Sequence, residues 1–214
     1  MYTPRHFAMP PELQARILAA PGVGDLITHG PTGLVATHLP YVFDPELGEH
    51  GSLVLHVARP NAQWREAATG ESLFIVTPAT DYVSSLWYPS AAESGKYVPT
   101  WDYVTLHLYG ELIVHDDLEW TTMAVEALMG VHEDRIGMAD MPAGYLAGQL
   151  RAIVGLQLAI TRIEAKAKLS QNRTPGDVRG VIDALREAVA DASAGLREEL
   201  GLPPAERRAA LIAR

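Results

Sequence analysis

Three short segments of this 214-residue chain concentrate the side chains that could do chemistry. The first is His56-Val57-Ala58-Arg59-Pro60-Asn61-Ala62-Gln63-Trp64. A guanidinium, two amides and the free backbone N–H groups of a turn are the donors that hold a phosphate. The second is Tyr82-Val83-Ser84-Ser85-Leu86-Trp87-Tyr88-Pro89, followed by Val98-Pro99-Thr100-Trp101-Asp102-Tyr103. Two indoles and three phenols around a loop suit stacking on a flat ligand. The third is Lys166-Ala167-Lys168-Leu169-Ser170-Gln171-Asn172-Arg173, with three cations and three hydrogen-bonding side chains. Each also has a plain structural reading: a strand end opening a helix, core aromatics at a barrel rim, and a solvated charged face.

The elements that must carry these segments follow from hydrophobic periodicity. Pro10-Pro11-Glu12-Leu13 opens a short helix with Leu13, Ile17 and Leu18 on its apolar face, ended by Pro21-Gly22. Strands are expected over Leu26–His29 and Leu34–Phe43, around the turn Gly30-Pro31-Thr32-Gly33. Ser52–Ala58 alternates, with Leu53, Leu55 and Val57 on one face. Ser72–Val76 and Tyr82–Leu86 read as two short strands, and Trp87–Thr100 as a long loop. The strongest strand signal is Tyr103–His115, where Gly110 suggests a bend or bulge. Asp116-Asp117-Leu118-Glu119 resembles a capping box opening a helix to about His132. A helix over Pro142–Ala152 and a strand over Leu156–Ile163 follow. Beyond Pro175, Val178, Val181, Ile182, Leu185, Val189, Leu196 and Leu200 recur at helical spacing. Strands cluster rather than alternate with helices, so the class is α+β with a mainly antiparallel sheet.

Composition narrows the function. The chain has no cysteine, so disulfides, thiolate metal sites and a cysteine nucleophile are excluded. It lacks a run of about 18 apolar residues and a basic-then-apolar leader, and the expected location is cytoplasmic. Seventeen basic residues face 26 acidic ones, a net charge of −9. Direct nucleic-acid binding, which needs a cationic face, is therefore not expected. His132-Glu133 lacks the second histidine of a zincin helix, Ser94-Gly95-Lys96 lacks the first glycine of a P-loop, and Gly22-Val23-Gly24 lacks the third glycine of a dinucleotide fingerprint.

Taken together, the segments resemble one family. His-Val-Ala-Arg-x-Asn-x-Gln-Trp, Tyr-Val-Ser-x-x-Trp-Tyr-Pro-Ser, Val-Pro-Thr-Trp-x-Tyr and Lys-x-Lys-Leu-Ser-Gln-Asn-Arg stand in the order found in PaiB-like proteins, with Met1-Tyr2-x-Pro4-Arg5-His6-Phe7 and Thr37-His38-Leu39-Pro40 matching as well. The similarity covers roughly residues 1–175, leaving 176–214 as a helical extension. It implies a flavin-reductase-like split β-barrel, a homodimer with FMN at the subunit interface, and a role as a negative transcriptional regulator. It implies cofactor contacts from Thr37, His38 and Leu39 beside the ring, and from His56, Val57, Ala58, Arg59, Asn61, Gln63 and Trp64 near ribityl and phosphate. The other subunit would add Trp101, Tyr103, Lys168, Ser170, Gln171 and Asn172, with Lys168 as the cation near the flavin. The family has Asn where Asp102 stands and Gly where Ala165 stands, so Asp102 would bring a negative charge toward the cofactor. Related barrels bind haem, which makes a flavin- or haem-dependent oxidoreductase the alternative, with His29, His38, His107 or His115 as a ligand. No catalytic residue is assigned and no metal ion is expected.

Overall fold

The computed structural model describes residues 1–66, 68–95 and 98–188; Val189, Leu196, Leu200 and all else from 189 to 214 in the expected extension lie outside the described residues. Six strands form an antiparallel sheet that closes in a ring: β1 (Gly22–Gly30), β2 (Gly33–Asp44), β3 (Ser52–Ala58), β4 (Ser72–Val83), β5 (Thr100–His115) and β6 (Ile153–Lys168). Their order around the ring is β1-β2-β3-β6-β5-β4. Among the described residues, five α-helices flank it: α1 (Pro11–Ala19), α2 (Pro89–Ser94), α3 (Leu118–Gly130), α4 (Ala143–Arg151) and α5 (Pro175–Ala188). The chain divides into two compact units, one of Pro11–Val76 with His107–Glu164, the other of Met1–Pro10, Thr77–Leu106 and the described residues from Ala165. Strands β4, β5 and β6 each run from one unit into the other.

The first of these units is built on alternation. β3 has the expected bounds, and Leu53, Leu55 and Val57 are buried along with Leu156, Leu158 and Val154 of β6. Leu13, Ile17 and Leu18 of α1 are buried too, and the Tyr41 hydroxyl donates to the Ile17 carbonyl at 3.4 Å. Gly110 makes a close approach possible: a Cβ there would stand 2.2 Å from the Ala159 carbonyl oxygen. The expected bend is therefore a place where two strand backbones approach more closely than any side chain permits. Gly155 plays the same part for α3, since its Cβ would lie 2.2 Å from the Trp120 ring. α3 starts one residue later than the capping box suggests, with Asp117 accepting from Trp120 N–H at 2.7 Å.

Two expectations fail in the second unit and at its boundary. The two short strands expected at Ser72–Val76 and Tyr82–Leu86 are replaced by one continuous strand, β4, which ends at Val83, and Ser85–Trp87 forms a 3-10 turn. Its burial alternation shifts by one residue, from Ser72, Phe74 and Val76 to Ala79 and Val83. Pro78, which has no N–H to contribute to a ladder, sits exposed at that shift. The segment expected as a long loop contains α2, with Pro89 in its first turn. The Asp177 carboxylate, brought by α5, accepts from Ser90 N–H at 3.0 Å and from Ser90 Oγ at 2.7 Å. Val83, Tyr88 and Ala91 pack with Val181 and Leu185 of α5.

Asp177 is almost wholly buried. Burial disfavours its charge, but the two bonds from Ser90, the bond from Thr174 and the nearby Arg173 outweigh that and hold its pKa below the ordinary 3.8. A carboxyl group whose pKa falls on folding stabilises the fold above its unfolded pKa, and the contribution fades as pH drops through the folded value. Asp177→Asn is expected to lose about 1–2 kcal/mol near neutral pH, the worth of a buried cap. Urea denaturation at pH 7 and pH 3 checks this; the gap between variant and wild type should narrow at the lower pH.

Candidate functional site

β3 runs into a turn whose conformation is fixed from inside. Asn61 caps a single 3-10 turn (Ala62–Trp64), its side-chain Oδ1 accepting from Gln63 N–H at 2.9 Å. Gln63 is buried, and its Nε2 faces the Leu26 carbonyl at 3.2 Å, Thr28 Oγ1 at 3.1 Å and the Val35 carbonyl at 3.4 Å. Thr37 Oγ1 donates to Gln63 Oε1 at 2.5 Å and accepts from Asn61 Nδ2 at 3.0 Å. Thr37, Asn61 and Gln63 therefore form one network, with the Gln63 side chain directed inward.

Arg59 stands at the head of this turn. Its Nε donates to the Arg151 carbonyl at 2.7 Å and its Nη2 to the Ile153 carbonyl at 3.0 Å, which clips the turn to the start of β6. Nη2 also pairs with Asp116 at 2.7 Å, a half-exposed contact that lowers the Asp116 pKa mainly through the hydrogen bond. Nη1 meets no acceptor among the described residues. The Trp64 indole donates from Nε1 to the Arg59 carbonyl at 2.9 Å, and two guanidiniums lie against its ring, Arg65 at 4.6 Å and Arg59 at 5.8 Å from the centroid. Trp64 and Arg65 also line an open cavity of about 650 Å³ with Glu71, Glu111, Leu112 and Thr161.

On the neighbouring strands, His38 is exposed and its Nδ1 lies 2.8 Å from Asp25 Oδ1, directly across the β1–β2 ladder. Leu39 and Val57 are core residues, and Ala58 is exposed. His56 Nδ1 is buried with no hydrogen-bond partner among the described residues, and burial lowers the pKa of the ring. Of the candidate haem ligands, His29 Nδ1 is 2.8 Å from Thr69 Oγ1, and His115 lies flat on Trp120 with its Nε2 3.1 Å from Gln157. Burial lowers the His107 pKa.

The remaining expected residues lie in the other unit. Trp101 is exposed and stands edge-to-face with the exposed Tyr82 at 5.7 Å. Tyr103 is half-buried beneath the Lys166 ammonium, 5.2 Å from its ring centroid. Lys168 and Ser170 are both bonded to the buried Asp102. Gln171 is turned back on its own loop, accepting from Leu169 N–H at 2.7 Å and donating to the Ala167 carbonyl, and Asn172 is exposed. Sequence reasoning passed over Arg65, Asp116 and Asp25 as site residues. Of these, Asp25 was recoverable, because a turn pairing Gly30 with Gly33 sets residue 25 opposite 38.

A ring of six antiparallel strands in this order, with flanking helices, defines a split β-barrel. The chain belongs to the family described as "Putative FMN-binding domain", which matches residues 1–162. It is 29% identical over 191 residues to the protease synthase and sporulation protein PAI 2 of Bacillus subtilis (strain 168), covering 87% of this chain and 89% of the relative. It is 28% identical over 156 residues to the uncharacterized protein YKL070W of Saccharomyces cerevisiae, covering 63% and 92%. Among solved structures, the conserved hypothetical protein Rv2991 of Mycobacterium tuberculosis superposes with a TM-score of 0.56 at 11% identity, over 81% of this chain and 94% of that one. The flavocytochrome Anf3 of Azotobacter vinelandii gives a TM-score of 0.51 at 11% identity, over 77% and 68%. At that identity both likenesses concern the fold. No helix among the described residues is long and apolar enough to cross a membrane.

The burial of His56 has a measurable sign. Folding depresses the pKa of a base held neutral, so between the folded pKa and the unfolded 6.5 the unfolded chain binds more protons. The His56 contribution to stability is full above pH 6.5 and declines as pH falls toward the folded pKa. An NMR titration of the imidazole C–H resonances should place the His56 midpoint below 6.5; a midpoint at or above 6.5 contradicts the burial argument.

Proposed function

We propose that this protein binds FMN as a homodimer and exerts its regulatory effect through the flavin or another small molecule rather than by contacting DNA. The observation that carries the reading is the turn after β3, where Arg59 and Arg65 lie against one indole. The donor set suits a phosphorylated flat ligand. The Arg59 Nη1 group is available among the described residues, and its partner Asp116 is half-exposed. Exposed ion pairs contribute little, about 0–1 kcal/mol, so a phosphate dianion can displace Asp116 from the guanidinium. The two carbonyls that hold Nε and Nη2 keep the guanidinium oriented while this exchange takes place.

FMN supplies one- and two-electron redox chemistry when bound, and the protein supplies orientation and electrostatics. Arg59 takes the phosphate, Asn61 holds the turn, and Trp64 covers one side. Thr37 and His38 lie on the adjoining strand, beside the ring. A second copy would close the site with Trp101, Tyr103 and Asn172, on the surface that Ser170 and Gln171 hold in shape. Membership of an FMN-binding family over residues 1–162 supports the cofactor, and kinship with PAI 2, a protein named for protease synthesis and sporulation, supports a part in the control of such processes. A net charge of −9 favours a small-molecule route over direct contact with nucleic acid.

The test is the visible spectrum of the purified protein after incubation with FMN and desalting. Retained flavin bands are expected. Arg59→Ala should weaken FMN binding by about 10- to 100-fold, the worth of a charge-assisted hydrogen bond to phosphate. A wild-type protein that emerges colourless, or a variant that binds equally well, refutes the reading.

A further inference from the structure

Lys168 ends β6 with its ammonium fully engaged. Nζ donates to Thr100 Oγ1 at 2.7 Å, to the Trp101 carbonyl, and to Asp102 Oδ1 at 3.3 Å. An ammonium has three N–H donors, so these three acceptors saturate it. The Asp102 side chain has no exposed surface, whereas that of Lys168 keeps 23%. The second Asp102 oxygen accepts from Ser170 Oγ at 2.8 Å. Ser170 has a φ of 64°, a left-handed conformation that non-glycine residues adopt at a cost. Tyr88 brings its hydroxyl to 3.5 Å from the same Oγ. One buried carboxylate thus fixes the cation at 168 and the strained turn at 170.

We infer that Asp102 sets the charge of this surface: it neutralises Lys168 internally, so that an anionic ligand is held by Arg59 and not by Lys168. The inference rests on the FMN reading for its ligand. Its geometry is independent of that reading. Lys168 bonds the main-chain carbonyl of Trp101, so its charge lies at the start of β5, on the backbone that carries the exposed Trp101, and Asp102 cancels that charge from the buried side. Asn at position 102 would keep an acceptor of the same shape and remove the negative charge. The ammonium would then carry an uncompensated positive charge at the start of β5, and would attract an anion. Asp102 is on this account a positioning residue that subtracts a cation from the ligand's surroundings.

The experiment is a double-mutant cycle read by FMN titration and by thermal unfolding. Asp102→Asn is expected to tighten FMN binding at least tenfold. Lys168→Met uncovers the Asp102 charge instead, so it should weaken FMN binding, and it should lower the melting temperature because it leaves a buried carboxylate unpaired. The double variant removes both charges and should return to wild-type affinity. It carries the test if Lys168→Met alone does not fold. Unchanged or weaker binding by Asp102→Asn, or a double variant as tight as Asp102→Asn, overturns the inference. If the wild type takes up no FMN, the cofactor reading fails, and the neutralisation is then read without flavin by competitive acetylation with acetic anhydride. Lys168 protected at least tenfold relative to Lys166, with the protection lost in Asp102→Asn, supports it; equal modification of the two lysines in the wild type overturns it.

Discussion

The carboxamide of Gln63 joins the turn after β3 to the first hairpin, and the candidate site depends on that connection. Its nitrogen faces carbonyls at Leu26 and Val35 and a hydroxyl at Thr28, and its oxygen accepts from Thr37. A buried amide left without these partners would cost a few kcal/mol, so the turn has one conformation in which the amide is satisfied. That conformation puts Asn61 at the cap and Arg59 against the carbonyls of Arg151 and Ile153. The side chain that resembles a ligand donor in the sequence acts instead as the anchor for the residues around it.

Charge is organised locally in each unit. Arg59 pairs with Asp116, Arg162 with Glu71 and Glu164, and Lys168 with Asp102. The first pair is half-exposed on both sides, the second is open to solvent on its cationic side, and the third has a wholly buried acid. These differences decide availability. A solvated pair exchanges partners at little cost, because water compensates whichever ion is released. A pair with a buried acid does not, because releasing the cation strands a charge in a medium of low polarisability. Two cations that look equivalent in the sequence therefore differ in how readily they exchange partners.

The legible part of the fold was the part written in alternation. β3 appears with its expected bounds, and the apolar face of α1 is the one expected, because both patterns are local and both faces are buried by the first hairpin and β6. α2 was illegible because its N-terminal N–H is satisfied by Asp177, 87 residues further along the chain. The continuity of β4 was illegible because Pro78 and the polar residues after it look like a break, whereas a one-residue shift in alternation lets the strand pass through. In the site, the sequence identified the segments but not their internal bonds. The partners of Arg59 come from α4 and β6, more than 90 residues away, and from Asp116.

The same distance effect changes the meaning of Asp102. Next to Trp101 in the sequence, an acid reads as a negative charge facing the ligand. Strand alternation turns it the other way: Trp101 is exposed, Asp102 is buried, and Lys168 and Ser170 meet it from β6 and the turn that follows. A carboxylate on the buried side of a strand repels an outside anion only through its net field, and the adjacent ammonium cancels most of that field. The acid therefore leaves the aromatic surface nearly neutral.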